Sequence, residues 1–223
     1  MITATEALSR LREGNRRFIS NQSEAGALGN HGHRAALAAG PEPLAIVLGC
    51  SDARVPAELV FDQGFGDLFV IRVAGNVVSP SQIGSVEFAA GRYGTSLVVV
   101  MGHSQCGAVI ATFEELTGRA TSQSRNLRSI VNRVRPSMET VLAVAAAAGG
   151  DPNPEAVIAD TVRANVRASA NHLRHGSELL ERLIQEGTLL VVGAEYSLET
   201  GVVSFFDGVP GEANPQMAQM LRR

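Results

Sequence analysis

Five side chains carry the chemistry that this sequence can offer. Its only two cysteines, Cys50 and Cys106, stand just past two apolar runs, and His103 lies three residues before the second. Two thiols and an imidazole form a soft nitrogen-and-sulfur donor set of the kind zinc selects. Three protein ligands leave a fourth place for water, as in catalytic rather than closed structural zinc sites. Zinc lowers the pKa of bound water to about 7, so hydroxide is available at neutral pH. Asp52 and Arg54 follow Cys50 at two and four residues. In a turn, that spacing sets a carboxylate beside a guanidinium, each fixing the other. Arg54 then keeps Asp52 ionised, and Asp52 can accept the hydrogen of the bound hydroxide and aim its lone pair at a substrate. Released from Arg54 and rotated towards the metal, Asp52 could instead fill the fourth place and close the site. A lone His-x-x-Cys is weak evidence and a buried cysteine is more often a small hydrophobe. The metal assignment rests on both halves together, each at the end of a strand.

These residues meet only if two strand ends are brought side by side. Leu44-Ala45-Ile46-Val47-Leu48-Gly49 leads into Cys50, and Leu97-Val98-Val99-Val100-Met101-Gly102 leads into His103. Unbroken apolar runs of this length read as strands buried on both faces, a habit of parallel sheets. Open parallel sheets bind ligands outside the carboxyl ends of their strands, where strand order reverses. Neighbouring first and third strands would therefore join Cys50 to His103 and Cys106.

The rest of the chain supplies the layers. Thr3 and Glu6 have capping-box spacing, and Leu8, Leu11, Phe18 and Ile19 form an apolar stripe, which predicts an amino-terminal helix. Because it precedes the first strand, residues 1–40 are expected to form a helical arm packing on a neighbouring subunit. A loop is expected at 21–32 and a short helix at 33–39. Further helices are predicted at 56–61, 81–93, 107–116, 126–148, about 155–173 and 177–186, with Pro136 kinking or dividing the fourth of these. Strands are predicted at 67–73 and 188–194, and a last strand at 202–206 pairs as a hairpin through Glu199-Thr200-Gly201. The expected fold is one α/β domain over 1–223, with a mostly parallel central sheet flanked by helices and an added edge strand.

The chain has 223 residues, a formal net charge of −3 and 45% hydrophobic residues. Its length suits one substantial domain, and no clear linker divides it. The mild negative charge gives no reason to expect nucleic acid or an anionic membrane as partner. No apolar run approaches the ~20 residues of a spanning helix. Residues 1–6 lack the basic and apolar regions of a signal peptide, and cysteine is scarce, so a reducing cytoplasm is the expected compartment.

Cys50-Ser51-Asp52-Ala53-Arg54-Val55-Pro56, then Gly66-Asp67-Leu68-Phe69-Val70-Ile71-Arg72-Val73-Ala74-Gly75-Asn76, then Gly102-His103-Ser104-Gln105-Cys106-Gly107-Ala108 resemble the β-class carbonic anhydrases. The resemblance runs from the amino-terminal helix to the region of Tyr196. It implies reversible hydration of carbon dioxide to bicarbonate and a proton, with one zinc per subunit. It implies Cys50, His103 and Cys106 as ligands, Asp52 and Arg54 as the orienting dyad, and a homodimer that can double to a tetramer. Phe69, Phe88 and Gly107 fall at positions resembling the substrate pocket. Two departures stand out. A substrate-binding glutamine of plant-like members is replaced by Pro41, with Gln63 a conceivable substitute donor. A regulatory bicarbonate pocket of some bacterial members keeps Arg72 and Tyr196 but has Val47 in place of its tryptophan.

Other classes remain open at this stage. Carbonyl sulfide or carbon disulfide could be hydrolysed by the same zinc site. Zinc could be structural or sensory, with Asp52 closing it. A redox dithiol pair of Cys50 and Cys106 would leave His103, Asp52 and Arg54 without roles. The loop from Cys50 to Arg54 is too short to wrap a phosphate in backbone amides. None of His31, His33, His172, His175, Tyr93 and Tyr196 is placed as a proton shuttle.

Overall fold

The β-branched and apolar runs form five strands: β1 (Ala45–Gly49), β2 (Leu68–Arg72), β3 (Leu97–His103), β4 (Leu190–Tyr196) and β5 (Val203–Asp207). The computed structural model describes residues 2–23, 40–120, 124–147, 149 and 153–211. The helix expected at 33–39 and most of the loop expected at 21–32 lie outside them. Sheet order is β2-β1-β3-β4-β5. β1 runs parallel to both β2 and β3, β3 parallel to β4, and β5 antiparallel to β4. Every residue of β1 and β3 is buried, as unbroken apolar strands require. Order reverses between β1 and β3, so the predicted crevice exists and its two ligand-bearing strands are neighbours.

Helices cover both faces. They are α1 (Ala4–Ile19), α2 (Ala57–Val60), α3 (Pro80–Tyr93), α4 (Gly107–Leu116), α5 (Arg125–Ala147), α6 (Pro154–His175) and α7 (Glu178–Gln185). Alternate residues divide between two cores. Val47, Val99, Met101 and Val192 face α1 and α2, while Ile46, Leu48, Val98 and Val100 pack with residues of α3, α6 and α7. α6 lies close to the sheet because the strands offer glycine beneath it. A Cβ at Gly102 would stand 2.7 Å from Val166 Cγ2, and one at Gly193 2.9 Å from Val166 Cγ1. No described helix is long and apolar enough to cross a membrane.

Two expectations are corrected and one is narrowed. α1 begins at its Thr3 cap, which accepts a hydrogen bond from the Glu6 amide, but its apolar face packs on its own chain. Ala7 and Leu11 are fully buried against Val47 and Val99, and Gly14 approaches α2 so closely that a Cβ there would overlap the Phe61 carbonyl. Asn15 Nδ2 donates to the carbonyls of Val60 and Gly201, and Arg17 pairs with the buried Asp62 at 2.5 Å. These polar ties give α1 a specific seat in one chain, which the apolar stripe alone did not specify. Of the two outcomes expected at Pro136, division does not occur, and α5 is one helix across it. The proline removes one backbone bond, while Val134 and Met138 on either side are fully buried in the core shared with α6, which holds the helix together. β4 starts two residues later than expected, because the Thr188 and Leu189 amides both bond to the Leu183 carbonyl at the end of α7.

Candidate metal centre

Cys50 is the first residue beyond β1, and a tight turn follows it. Three elements hold that turn. Arg72, the last residue of β2, donates through Nε to the Cys50 carbonyl (3.0 Å) and through Nη2 to the Asp52 carbonyl (2.5 Å). The Gly75 amide donates to Cys50 Sγ at 3.4 Å from a 3₁₀ turn, Ala74–Asn76. Gly75 there has φ +69°, and a Cβ would meet Ala108 Cβ at 2.9 Å, so the approach requires glycine. Two buried side chains of α6 hold this turn in place. Asn165 Nδ2 donates to the Gly75 carbonyl (2.7 Å) and Ser169 Oγ to the Asn76 carbonyl (3.0 Å).

β3 ends on His103, and α4 begins just past Cys106. His103 is fully buried, and its Nδ1 donates to the Ser104 carbonyl at 2.8 Å. Nε2 therefore carries the lone pair, and it is buried with no hydrogen-bond partner. That unpartnered atom is costly unless something fills its place. Cys106 stands at the amino end of α4 with no side-chain capping hydrogen bond, close enough for the Ala108 and Val109 amides to favour its charged form. The helix end thus favours a thiolate here.

Ligand atoms of Cys50, His103 and Cys106 all lie within 4.8 Å of one another, and all three residues are buried. Both cysteines are free thiols. The neighbouring Cys106 thiol, with His103 and the Gly75 amide acting in the same direction, lowers the Cys50 pKa to about 4 against the effect of burial. Cys106 moves the other way, through the same shared hydrogen bond and through burial. Two sulfurs competing for one proton, beside an imidazole whose lone pair has no partner, are a donor set that a soft divalent cation satisfies. The residues fit zinc.

Asp52 stands beside this set and faces Arg54. Its Oδ1 accepts from the Arg54 amide and Nε (2.9 Å each), and its Oδ2 from Nη2 at 2.8 Å. The Arg54 guanidinium, aided by the Arg54 amide, holds the carboxyl well below the usual carboxylate range. Oδ2 lies 3.9 Å from His103 Nε2. With both oxygens committed to Arg54, Asp52 adopts the paired arrangement and not that of a fourth ligand.

Of the remaining predicted site residues, Arg72, Gly107 and Tyr196 adjoin the metal residues through the backbone, whereas Phe69 and Phe88 lie away from them. Phe69 pairs in register with Ile46, four residues before Cys50, which puts it about 13 Å back along the sheet. It stacks with Tyr93 and with Phe88, which is 53% exposed. Gly107 opens α4 with nothing within 4 Å of a Cβ position. Arg72 and Tyr196 do not share a pocket. Arg72 sits at the level of Gly49 on β2, and Tyr196 pairs with His103 on β4, three strand spacings away or about 14 Å. Arg72 is committed to two backbone carbonyls, and Tyr196 is 6% exposed in the core. Gln63 Nε2 is engaged with the Phe61 and Asp62 carbonyls. Pro41 lines a cavity of about 650 Å³ with Leu44, Asp67, Thr95 and Ser96, at the amino ends of the strands. That cavity lies at the far end of the sheet from the chemistry.

Sequence reasoning missed Asn165, Ser169 and Glu199. The first two did leave a trace, as polar residues four apart inside the buried stripe of α6 between Val162 and Leu173. Glu199 bonds to both residues between His103 and Cys106. Ser104 Oγ donates to Oε2 (2.9 Å) and Gln105 Nε2 to Oε1 (2.6 Å). Its own amide and the hydroxyls of Ser104 and Ser197 draw the Glu199 carboxyl below its ordinary range.

Comparison with known proteins agrees with this geometry. A family model for carbonic anhydrase matches residues 45–203. Carbonic anhydrase 2 of Mycobacterium tuberculosis is 35% identical over 191 residues, covering 86% of this chain and 87% of that protein. A carbonic anhydrase of Mycolicibacterium smegmatis is 37% identical over 193 residues, covering 86% and 88%. Among solved structures, the Coccomyxa β-carbonic anhydrase in complex with acetazolamide superposes with a TM-score of 0.67 at 22% identity, covering 96% of this chain and 97% of that one. One of two tetrameric β-carbonic anhydrases from Sordaria macrospora superposes with a TM-score of 0.69 at 19% identity, covering 90% and 96%. A buried Cys–His–Cys set at the switch point of a parallel sheet and this pattern of relatives lead to one conclusion: the chain belongs to the β-carbonic anhydrase family, enzymes that use zinc to hydrate carbon dioxide.

Proposed function

We propose that Cys50, His103 and Cys106 hold one zinc ion and that Asp52, fixed by Arg54, orients the reacting group in reversible hydration of carbon dioxide. The observation that carries this is the buried, unpartnered Nε2 of His103 among two thiols, with the Asp52 carboxylate 3.9 Å away. When bound, zinc supplies a Lewis acid that makes hydroxide available near neutral pH. The protein supplies direction. Asp52 is kept ionised by a bidentate pair, so it acts as an acceptor and not as a donor. Beside the three residues that would hold zinc, Asp52 would accept a hydrogen from the reacting group and so orient it. Arg72, by gripping the Cys50 and Asp52 carbonyls, fixes the carboxylate relative to the sulfur.

Assembly as a homodimer, with doubling to a tetramer, belongs to the same proposal. β2 is an edge strand, and Phe88 and Phe65 near it are 53% and 57% exposed. A second copy laid along that edge would cover both. Phe69 and Phe88 could contribute to a substrate wall only through such a second copy, because they do not reach the metal residues of their own chain.

The test is stopped-flow carbon dioxide hydration by zinc-verified protein from neutral to alkaline pH, beside Asp52→Asn. Asp52→Asn should lose on the order of 10²-fold in kcat/KM while retaining zinc. A zinc-loaded wild type without activity at any pH would send the assignment to carbonyl sulfide or carbon disulfide as substrate. Sedimentation velocity reads the assembly state in the same samples, and a monomer would remove the dimer from the proposal.

A further inference from the structure

Ser104 and Gln105 separate two of the metal residues, and one carboxylate grips both. Glu199 reaches them from the turn between β4 and β5, ninety-five and ninety-four positions later in the chain. We infer that Glu199 is a positioning residue that holds the His103–Cys106 turn in the shape that presents both ligands. This inference rests on the assignment of zinc to Cys50, His103 and Cys106.

The chain of contacts is short. Ser104 Oγ donates to Glu199 Oε2 and accepts from the Leu198 amide at 2.9 Å, and the Ser104 amide donates to the Tyr196 carbonyl at 3.0 Å. Ser104 is thereby tied to the end of β4 on three sides. Its carbonyl in turn receives His103 Nδ1, so the placement of Ser104 sets the orientation of the imidazole ring. Gln105 has φ +56°, in the left-handed region that a residue with a Cβ adopts only when its surroundings hold it there. Its side-chain amide is bound by Glu199 Oε1, and its carbonyl faces Arg54 Nη2 at 3.5 Å. Cys106 follows directly, so the conformation of Gln105 sets the direction in which the thiol leaves the turn. Ser197 Oγ donates to Glu199 Oε2 at 3.0 Å and steadies the carboxylate itself. Glu199 is exposed and belongs to neither core, so its contacts serve this turn and not the interior.

The test is zinc retention by the full chain, measured by competition with a chromogenic chelator, for wild type, Glu199→Ala, Gln105→Gly and the double variant. Glu199→Ala should bind zinc roughly tenfold more weakly, the lower end of the effect of outer-shell partners on a metal. Gln105→Gly should bind like wild type, because glycine adopts φ +56° without strain. The double variant should recover most of the loss. Melting of the metal-free proteins should be unchanged by Glu199→Ala. Unchanged zinc binding in Glu199→Ala, a loss that Gln105→Gly does not restore, or a lowered metal-free melting temperature would each overturn the inference. A wild-type chain that binds no zinc would overturn the metal assignment itself, which separates the two failures.

Discussion

Cys50 and the His103–Cys106 pair stand at the ends of neighbouring strands, yet the Cys50 side has buried side chains behind the exposed Arg72, whereas the other turn is held by an exposed carboxylate. Asn165 and Ser169, 2% and 5% exposed, support the Cys50 side through the carbonyls of Gly75 and Asn76. The exposed Glu199 supports the other side through Ser104 and Gln105. Buried hydrogen bonds are expensive to break because the orphaned group stays out of water, whereas exposed ones are replaced by solvent. The geometry of Cys50 is therefore coupled to global stability, and that of His103 and Cys106 can change while the fold stays intact.

The largest expected effect removes a ligand on either side. Cys50→Ser and Cys106→Ser should each weaken zinc binding well beyond the roughly 10–100-fold typical of losing an outer-shell partner, as read by metal content after dialysis. Equal effects on the two sides would show that the contrast lies in the supports and not in the ligands. Next comes Arg72→Met, which frees two carbonyls at once. It should lower kcat/KM on the order of tenfold through the shape of the turn, with a smaller effect on stability because Arg72 is exposed. Asn165→Ala leaves the Gly75 carbonyl without its donor and should cost about 1–3 kcal/mol. At about 2–4 °C per kcal/mol for a chain of this size, calorimetry of the metal-free protein resolves it. Glu199→Gln is the smallest, with stability expected within about 0.5 kcal/mol of wild type. If Glu199→Gln lowered the melting temperature and Asn165→Ala did not, the inside–surface contrast would be inverted.

The metal residues were legible because Cys50 and His103 stand at the ends of their strands and Cys106 lies three residues beyond His103. An apolar run and the next one or two residues suffice to place Cys50 or His103, whereas the pairing of β1 with β3 was only a condition of the reading until the sheet order met it. Asp52 and Arg54 were legible for the same local reason. The supports were not, because they act through main-chain atoms at long range. Arg72 binds carbonyls twenty and twenty-two positions away, and a carbonyl has no residue type to recognise. The same arginine resembled part of a bicarbonate pocket expected to be altered by Val47, and within one chain it stands three strand spacings from Tyr196. α1 was misplaced for a related reason, since an amphipathic stripe states that a face is covered but not by which chain. Its seat depends on Gly14, Asn15 and Arg17, which no apolar periodicity reports.

One consequence concerns the order in which the chain is made. All five residues of the metal centre lie before residue 107, whereas Asn165, Ser169, Glu199 and the whole of β4, which pairs with β3 along seven residues, come after residue 153. A ribosome therefore releases every ligand before any of the distant supports, and the centre can take its final shape only in the last third of synthesis. A truncated copy ending near residue 150 would keep the complete motif by which such proteins are recognised, and would have lost the scaffold that makes the motif work.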